Sequence, residues 1–328
     1  VTGVATLTFV EAIRRALREE MAADPSVFLI GEDIGTYGGA FRVTEGLLAE
    51  FGPDRVLDSP LAEEGLAGVA IGAALMGMRP VAELQFIDFI ACAFDQITNY
   101  AAKARYRFGV GVPVVFRGPC GGGVHGGPFH SQNPESSFLG IPGLKIVEPS
   151  TCRDALGLLK SAIRDPDPVL FLEHKFLYRR IREELPDDEE ILVPIGKARI
   201  ALEGKDLTIL TYGAMVGVAL EAARDLAAGG ASIEVVDLRT LAPLDVPSIL
   251  ASVAKTGKVI ILHEATRTGG PAGELAALIA ERAFEYLDGP VVRVTAPDTP
   301  VPYAPPLEAA FLPDVAKVAA AARKLLRW

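Results

Sequence analysis

Two α/β domains, each a doubly wound parallel sheet, are what this sequence predicts. Three observations carry the prediction. Helix and strand patterns alternate along all 328 residues. The charged, Pro-containing stretch RRIREELPDDEE at 179–190 is the best linker candidate in the chain, and beyond it the alternation restarts cleanly. The length itself corresponds to about two domains of ~150 residues. Domains of 1–190 and 191–328 are therefore expected.

The elements follow in order. Thr8–Met21 places Phe9, Ile13, Ala16 and Leu17 at a helical period, with Thr8 available as N-cap. Val27–Ile30 is a short apolar strand running into Gly31-Glu32-Asp33. Ser59-Pro60 opens a helix over Leu61–Met78, with Pro at its start. Val81–Phe86 reads as strand, Ala91–Arg105 as helix and Val112–Phe116 as strand. Beyond a glycine-rich break come strand Leu144–Val147, helix Thr151–Arg164 and strand Val169–Leu172. After the charged stretch the strands are 207–212, 232–237, 258–263 and 291–295. The helices between them are 216–228, 245–254 and 272–286, and a closing helix runs from Asp314 to Leu326. Strands separated by helices of this length imply parallel sheets covered on both faces.

Composition excludes several classes. Half the residues are hydrophobic and 23% charged, a globular balance. With 32 basic against 42 acidic residues the net charge is −10, which argues against a dedicated nucleic-acid binder. Cys92, Cys120 and Cys152 are odd in number and widely spaced, so they read as free thiols in a reducing compartment. The longest uncharged apolar stretches, 65–78 and 207–220, are 14 residues each, short of the ~20 needed to span a bilayer. The N-terminus turns amphipathic at once, without a basic-then-apolar leader. A cytoplasmic protein is expected.

Three stretches could carry chemistry. The run GPCGGGVHGGPFHSQNPE at 118–135 contains a G-x-G-x-x-G at Gly121, Gly123 and Gly126. A dinucleotide fingerprint needs a helix to open there, whereas this run continues into Pro128 and Pro134 with no helical period. It reads as a loop needing positive φ or close backbone approach. Cys120, His125 and His130 in it are competent zinc ligands, but no second ligand pair completes a structural site. Two histidines in a long glycine-rich loop also suit an active-site role.

At the helix start DSPLAEEGLAG, Glu63 and Glu64 favour the dipole of the first turn. The alternative for Glu63 is a carboxylate at an apolar, subunit-facing helix end, suited to proton transfer. DPDP at 165–168 is either a turn or a set of oxygens for a cation. Other templates fail: there is no G-x-S-x-G, and Thr256-Gly257-Lys258 lacks the rest of a phosphate loop.

Taken together, the segments resemble the beta subunit of the thiamine-diphosphate-dependent 2-oxo acid dehydrogenases, the decarboxylating first component. The matching pieces include GEDIGTYGGAFRVTEGL (31–47), FGPDRVLDSPLAEEGLAG (51–68), RPVAELQFIDFIACAFDQI (79–97), FHSQNPES (129–136), SAIRDPDPVLFLEHKFLYR (161–179), EVVDLRTLAPLD (234–245) and KTGKVIILHEA (255–265). They keep the family's order over essentially the whole chain.

The resemblance implies a pyrimidine-binding domain followed by a transketolase C-terminal-like domain. It assigns Glu63 as the glutamate that hydrogen-bonds a ring nitrogen of the cofactor's aminopyrimidine, with Leu61 as the aliphatic contact. Phe89 matches the aromatic against that ring, where relatives often have Tyr, and Gln85 a nearby polar contact. His130 matches the active-site histidine, expected near the 2-oxo acid and in acyl transfer to the lipoyl arm. His125 has no firm match and stands as a helper. Ala62 replaces the usual Ser, and Glu64 is an uncommon neighbour for the catalytic glutamate. Some relatives hold a structural potassium ion, for which the matching positions are Val114 through its carbonyl, Ala162, Asp165 and Asp167.

The superfamily's diphosphate signature, G-D-G followed by N, is missing: Asp288-Gly289 is followed by Pro290 and has no preceding glycine. The resemblance therefore implies that an alpha subunit supplies the magnesium-diphosphate half, in a heterotetramer of two alpha and two beta chains. A lipoyl acyltransferase component is the further partner. Branched-chain 2-oxo acids such as 2-oxoisovalerate are the favoured substrates, with pyruvate and then acetoin as alternatives. From other classes, a NAD-binding oxidoreductase predicts nucleotide binding at 121–126. A non-catalytic assembly subunit predicts that Glu63 is dispensable.

Overall fold

The computed structural model describes residues 3–328. In chain order the elements are β1 (Val4–Thr8), α1 (Phe9–Ala23), β2 (Val27–Glu32), α2 (Leu47–Phe51), β3 (Val56–Ser59), α3 (Glu63–Leu75), β4 (Arg79–Glu83), α4 (Ala104–Phe108), β5 (Val115–Cys120), α5 (Glu135–Phe138), β6 (Lys145–Val147), α6 (Cys152–Arg164), β7 (Val169–His174) and β8 (Arg182–Pro186). They continue with β9 (Arg199–Leu202), β10 (Leu207–Thr211), α7 (Met215–Ala227), β11 (Ile233–Asp237), β12 (Thr240–Ala242), α8 (Val246–Thr256), β13 (Val259–Thr266), α9 (Pro271–Arg282), β14 (Val292–Ala296), α10 (Pro305–Phe311) and α11 (Val315–Leu325). The chain forms two compact units. One holds the residues up to Cys120 together with Gly140–Ile195, the other Gly121–Leu139 together with Gly196–Trp328.

In the first unit, parallel strands run in the order β6-β7-β5-β4-β2-β3. Every residue of β2, β5 and β7 is buried, and β2 and β7 accordingly read as apolar runs rather than as alternating ones. The exception is a buried charge cluster. The Arg117 guanidinium donates to Glu83 on one neighbouring strand and, at 2.7 Å, to Glu173 on the other. Tyr178 Oη also donates to Glu173, at 2.7 Å. Helix α1 starts with a reciprocal box: the Thr8 hydroxyl accepts the Glu11 N–H, and the Glu11 carboxylate accepts the Thr8 N–H at 2.8 Å. Thr151 caps α6 through the Asp154 N–H at 3.0 Å.

Several sequence expectations shift. The helix expected over 61–78 spans Glu63–Leu75, because Ser59 completes β3 against Glu32 and the chain needs Pro60–Ala62 to turn. The helix expected over 91–105 is a tight turn at Ile87–Ala93, a wide helical turn at Gln96–Ala101 and the short α4. There the Thr98 hydroxyl donates back to the Phe94 carbonyl at 2.8 Å, competing with the regular ladder. The strand expected at 112–116 is displaced to Val115–Cys120. Within the charged stretch, β8 pairs antiparallel with β1, Thr8 opposite Arg182. Charge there marks a solvated two-stranded ribbon as readily as a linker.

The second unit carries the sheet β14-β13-β10-β11-β9, parallel except for β9. Helices α7 and α11 pack together against it, and α10 seals a small cluster of Ala296, Val301 and Phe311. The periodic elements agree with the sequence to within a few residues, with Asp314 capping α11. Strand β9 and helix α10 were not foreseen. Among the described residues no helix is long and apolar enough to cross a membrane. All three cysteines are free thiols.

Candidate active site

In a parallel sheet, ligands are received at the carboxyl ends of the strands. Strands β3, β2 and β4 are neighbours, and four of the sequence-predicted residues issue from their carboxyl ends. Leu61 and Glu63 follow β3; Gln85 and Phe89 follow β4. Glu63 is the first residue of α3, where the helix dipole favours a carboxylate. Ala62 provides no side-chain cap, so the first-turn amides of α3 are left for other acceptors. Leu61 is 76% exposed. Gln85 is oriented by its Nε2, which donates to the Asp33 carboxylate at 2.8 Å. Phe89 is half-buried in the Ile87–Ala93 turn.

The sequence reading missed Glu32, the last residue of β2. Its carboxyl is buried and accepts the backbone N–H groups of Gln85 and Ala62, tying both site segments to one side chain. Burial, with the Glu63 charge adding to it, pushes the Glu32 carboxyl up to about 7. Its Oε1 has no hydrogen-bond partner among the described residues. The only signal for it was its place in Gly31-Glu32-Asp33, at the end of a buried strand. Two carboxyls, a primary amide, an aromatic face and an exposed aliphatic residue fit a flat heterocycle with donor and acceptor nitrogens, as an aminopyrimidine is.

The four positions matched to potassium lie elsewhere in the first unit. The Val114 carbonyl accepts the Val169 N–H at 3.0 Å, and the Ala162 carbonyl accepts the Asp165 N–H at 3.2 Å. Lys145 Nζ lies 2.6 Å from both Asp165 oxygens, and Arg105 Nε 2.6 Å from Asp167. The carboxylates are thus already neutralised. The donors left for a monovalent cation are second lone pairs of the carbonyls.

His125 and His130 belong to the second unit. Their loop closes through the Gly121 N–H donating to the Gln132 carbonyl at 3.0 Å. Positive φ at Gly121, Gly123, His125 and Gly127 bears out the loop reading, and no α-helix opens at the G-x-G-x-x-G. The Gly122 N–H donates to Glu264, and the Gly123 N–H to Glu308 at 2.9 Å. Amides that a dinucleotide phosphate would need are therefore taken by the chain's own carboxylates, which removes the reading of this run as a dinucleotide site. His125 Nδ1 stands 2.6 Å from the Glu308 carboxylate. No group of three or more metal-ligating side chains occurs among the described residues.

The comparisons with known proteins agree in both halves. The family model for the transketolase pyrimidine-binding domain matches residues 5–180, and that for the transketolase C-terminal domain residues 196–318. The 2-oxoisovalerate dehydrogenase subunit beta of Bacillus subtilis (strain 168) is 51% identical over 328 residues, covering 99% of this chain and 100% of that protein. The pyruvate dehydrogenase E1 component subunit beta of the same organism is 49% identical over 327 residues, with 99% and 100% covered. A solved structure described as a split gene transketolase, an inactive beta4 tetramer, superposes with a TM-score of 0.81 at 26% identity over 98% of each chain. With both domain models and full-length identity of this order, the chain belongs to the family of 2-oxo acid dehydrogenase beta subunits built on the transketolase pyrimidine-binding and C-terminal domains.

Proposed function

We propose that this chain is the beta subunit of a thiamine-diphosphate-dependent 2-oxo acid dehydrogenase, which decarboxylates a 2-oxo acid oxidatively and passes the acyl group to lipoyl arms of an acyltransferase component. The observation that carries this is Glu63 at the start of α3, whose charge acts on the buried Glu32, itself tied to the backbone of Gln85 and Ala62. When bound, the cofactor supplies the carbanion chemistry and electron sink that decarboxylation requires. Glu63 holds a proton at the pyrimidine ring nitrogen. Glu32, whose carboxyl burial and the Glu63 charge push up to about 7, lessens the negative charge that builds up beside Glu63. Phe89 and Leu61 pack the ring, and Gln85 orients it from a side chain fixed by Asp33. His130 receives the substrate's polar end and serves acyl transfer.

The remaining parts of the reading are an alpha subunit holding magnesium and the diphosphate, an arrangement of two alpha and two beta chains, and a cytoplasmic setting. Potassium is included only on carbonyl oxygens of the Val114, Ala162, Asp165 and Asp167 region. A branched-chain acid is favoured because the 51% identical relative is named for 2-oxoisovalerate. Pyruvate is the second reading, supported by the 49% identical relative. One methylene in an apolar pocket is worth only ~1–3 kcal/mol, so the two substrates are close competitors.

The test is 2-oxo acid-dependent dye reduction with thiamine diphosphate and magnesium. It compares this chain alone, the chain with its alpha subunit, and the pair carrying Glu63→Gln, on 2-oxoisovalerate and pyruvate. Turnover that needs both chains and falls at least ~100-fold in the variant is expected. Activity from the chain alone, or an indifferent Glu63→Gln pair, overturns the assignment.

A further inference from the structure

His130 sits on a segment that has little reason to be ordered. Five of the twelve residues from Gly121 to Gln132 are glycine, which loses the most backbone freedom on folding. His125 within it adopts φ +62, a left-handed conformation that a non-glycine residue holds only when its surroundings enforce it. What enforces it is a pair of buried carboxylates from other elements of the same unit. Glu264, on β13, accepts the Gly122 N–H and, at 3.1 Å, the Asn133 side-chain amide, gripping the base of the loop. Glu308, on α10 and 2% exposed, accepts the Gly123 N–H at 2.9 Å and the His125 N–H at 3.2 Å. It also meets His125 Nδ1, and so grips the tip. The Tyr303 ring presses on Gly127, three residues before His130, where there is no room for a Cβ.

The stabilisation is mutual. A carboxylate buried at this depth is costly unless it is hydrogen-bonded, and most of the partners that Glu308 has are loop groups. If the loop leaves, a buried charge loses its donors; if the carboxylate goes, the glycines are free. Nothing in the chemistry assigned to His130 uses either acid directly.

We propose that Glu308 and Glu264 are the positioning residues of His130, holding the Gly121–Gln132 loop in one conformation through its backbone amides. The proposal rests on the reading of His130 as the group that serves acyl transfer.

The experiment uses the enzyme assembled with its alpha subunit, in wild-type form and as Glu308→Gln, Glu308→Asp, Glu264→Gln, His130→Ala and Glu308→Gln/His130→Ala. Hydrogen exchange by mass spectrometry follows peptides covering 121–133, with β10 and β13 peptides as folding controls. Dye-coupled decarboxylation and acylation of a free lipoyl domain are assayed separately. In Glu308→Gln the loop amides are expected to exchange about tenfold faster, the scale of one to two charge-assisted hydrogen bonds, with β10 and β13 unchanged. Lipoyl acylation is expected to fall about tenfold while decarboxylation falls less than threefold. Glu308→Asp, which keeps the charge, recovers most of the loss. The double variant is no worse than His130→Ala, since both changes act through one side chain.

Unchanged exchange in the loop overturns the proposal, as do losses that add in the double variant. Global unfolding of Glu308→Gln, seen in the β13 peptides, leaves the decision to Glu264→Gln by the same criteria. His130→Ala with intact acylation overturns the underlying role of His130 instead, while the exchange data still report whether the carboxylates hold the loop.

Discussion

The charge of Glu63 acts on Glu32: one carboxyl stands at the start of α3, the other at the end of β2, and burial together with the Glu63 charge lifts Glu32 to about 7. A carboxyl raised above its unfolded value favours the protonated state in the fold. Its contribution to stability is complete below about pH 4.5 and is lost as pH rises through about 7. Glu32→Gln should remove that slope. Between pH 5 and 8 the stability of the variant should fall less than that of wild type, by up to about 3 kcal/mol. Urea titrations across this range check it. Glu63→Gln, which leaves Glu32 buried but removes its charged neighbour, should shift the midpoint of the slope to lower pH without abolishing it.

The Arg117 cluster predicts the opposite balance. Arg117 is 1% exposed and joins Glu83 and Glu173 across three adjacent strands, so it is the cation that two buried acids require. Burial raises the Glu83 carboxyl, with Arg117 opposing and Glu173 adding to the shift. Arg117→Met leaves both acids uncompensated and should cost about 3–5 kcal/mol in denaturant unfolding. Tyr178→Phe removes one hydroxyl donor to Glu173 and should cost about 1–3 kcal/mol. Equal effects of the two substitutions would contradict the view that the guanidinium, not the phenol, holds these strands in register.

The long periodic elements were legible because burial on one or both faces writes itself into side-chain spacing. α1, α6 and α11 also carry Thr8, Thr151 and Asp314 as caps in the sequence itself. The start of α3 misled because Ser59-Pro60 imitates a helix entry, while the pairing of β3 with β2 that consumes Ser59 is a long-range fact. Glu63 was legible as one of two readings of a helix start, whereas Leu61, Gln85 and Phe89 were legible only as a family pattern. That they share one edge follows from the strand order β3-β2-β4, which no local spacing encodes. Glu32, Glu264 and Glu308 were missed for a related reason. Each lies in or beside apolar sequence, and its meaning depends on backbone amides brought from far along the chain.

Potassium gives a test in which the ion pairs matter. Lys145 and Arg105 already neutralise Asp165 and Asp167, so a cation held by the remaining carbonyl oxygens binds weakly. At equal ionic strength, replacing sodium by potassium should raise the melting temperature of the assembled enzyme by no more than a few degrees. That is the scale of ~1–2 kcal/mol of ligand linkage. Lys145→Met frees the Asp165 carboxylate and should enlarge the potassium-specific shift. A variant that melts lower and shows no ion preference would mean that Lys145 is simply the structural counter-charge and that the region binds no cation.

Gly127 isolates the role of the loop backbone from that of any charge. It adopts φ +68 with the Tyr303 ring where a Cβ would stand, so Gly127→Ala meets two separate obstacles. The left-handed conformation alone costs an alanine roughly 1–2 kcal/mol. The clash with an aromatic ring adds to it, because Tyr303 has to turn away. Gly127→Ala should therefore slow lipoyl acylation more than decarboxylation, and Gly127→Ala/Tyr303→Ala should recover only the part due to the clash. If the double variant recovers wild-type acylation completely, the backbone conformation at 127 is not what sets the position of His130. If it recovers none, the ring was never the obstacle and the strain at φ +68 dominates. Partial recovery is the outcome that the geometry predicts, because the two obstacles act on different atoms of the same residue.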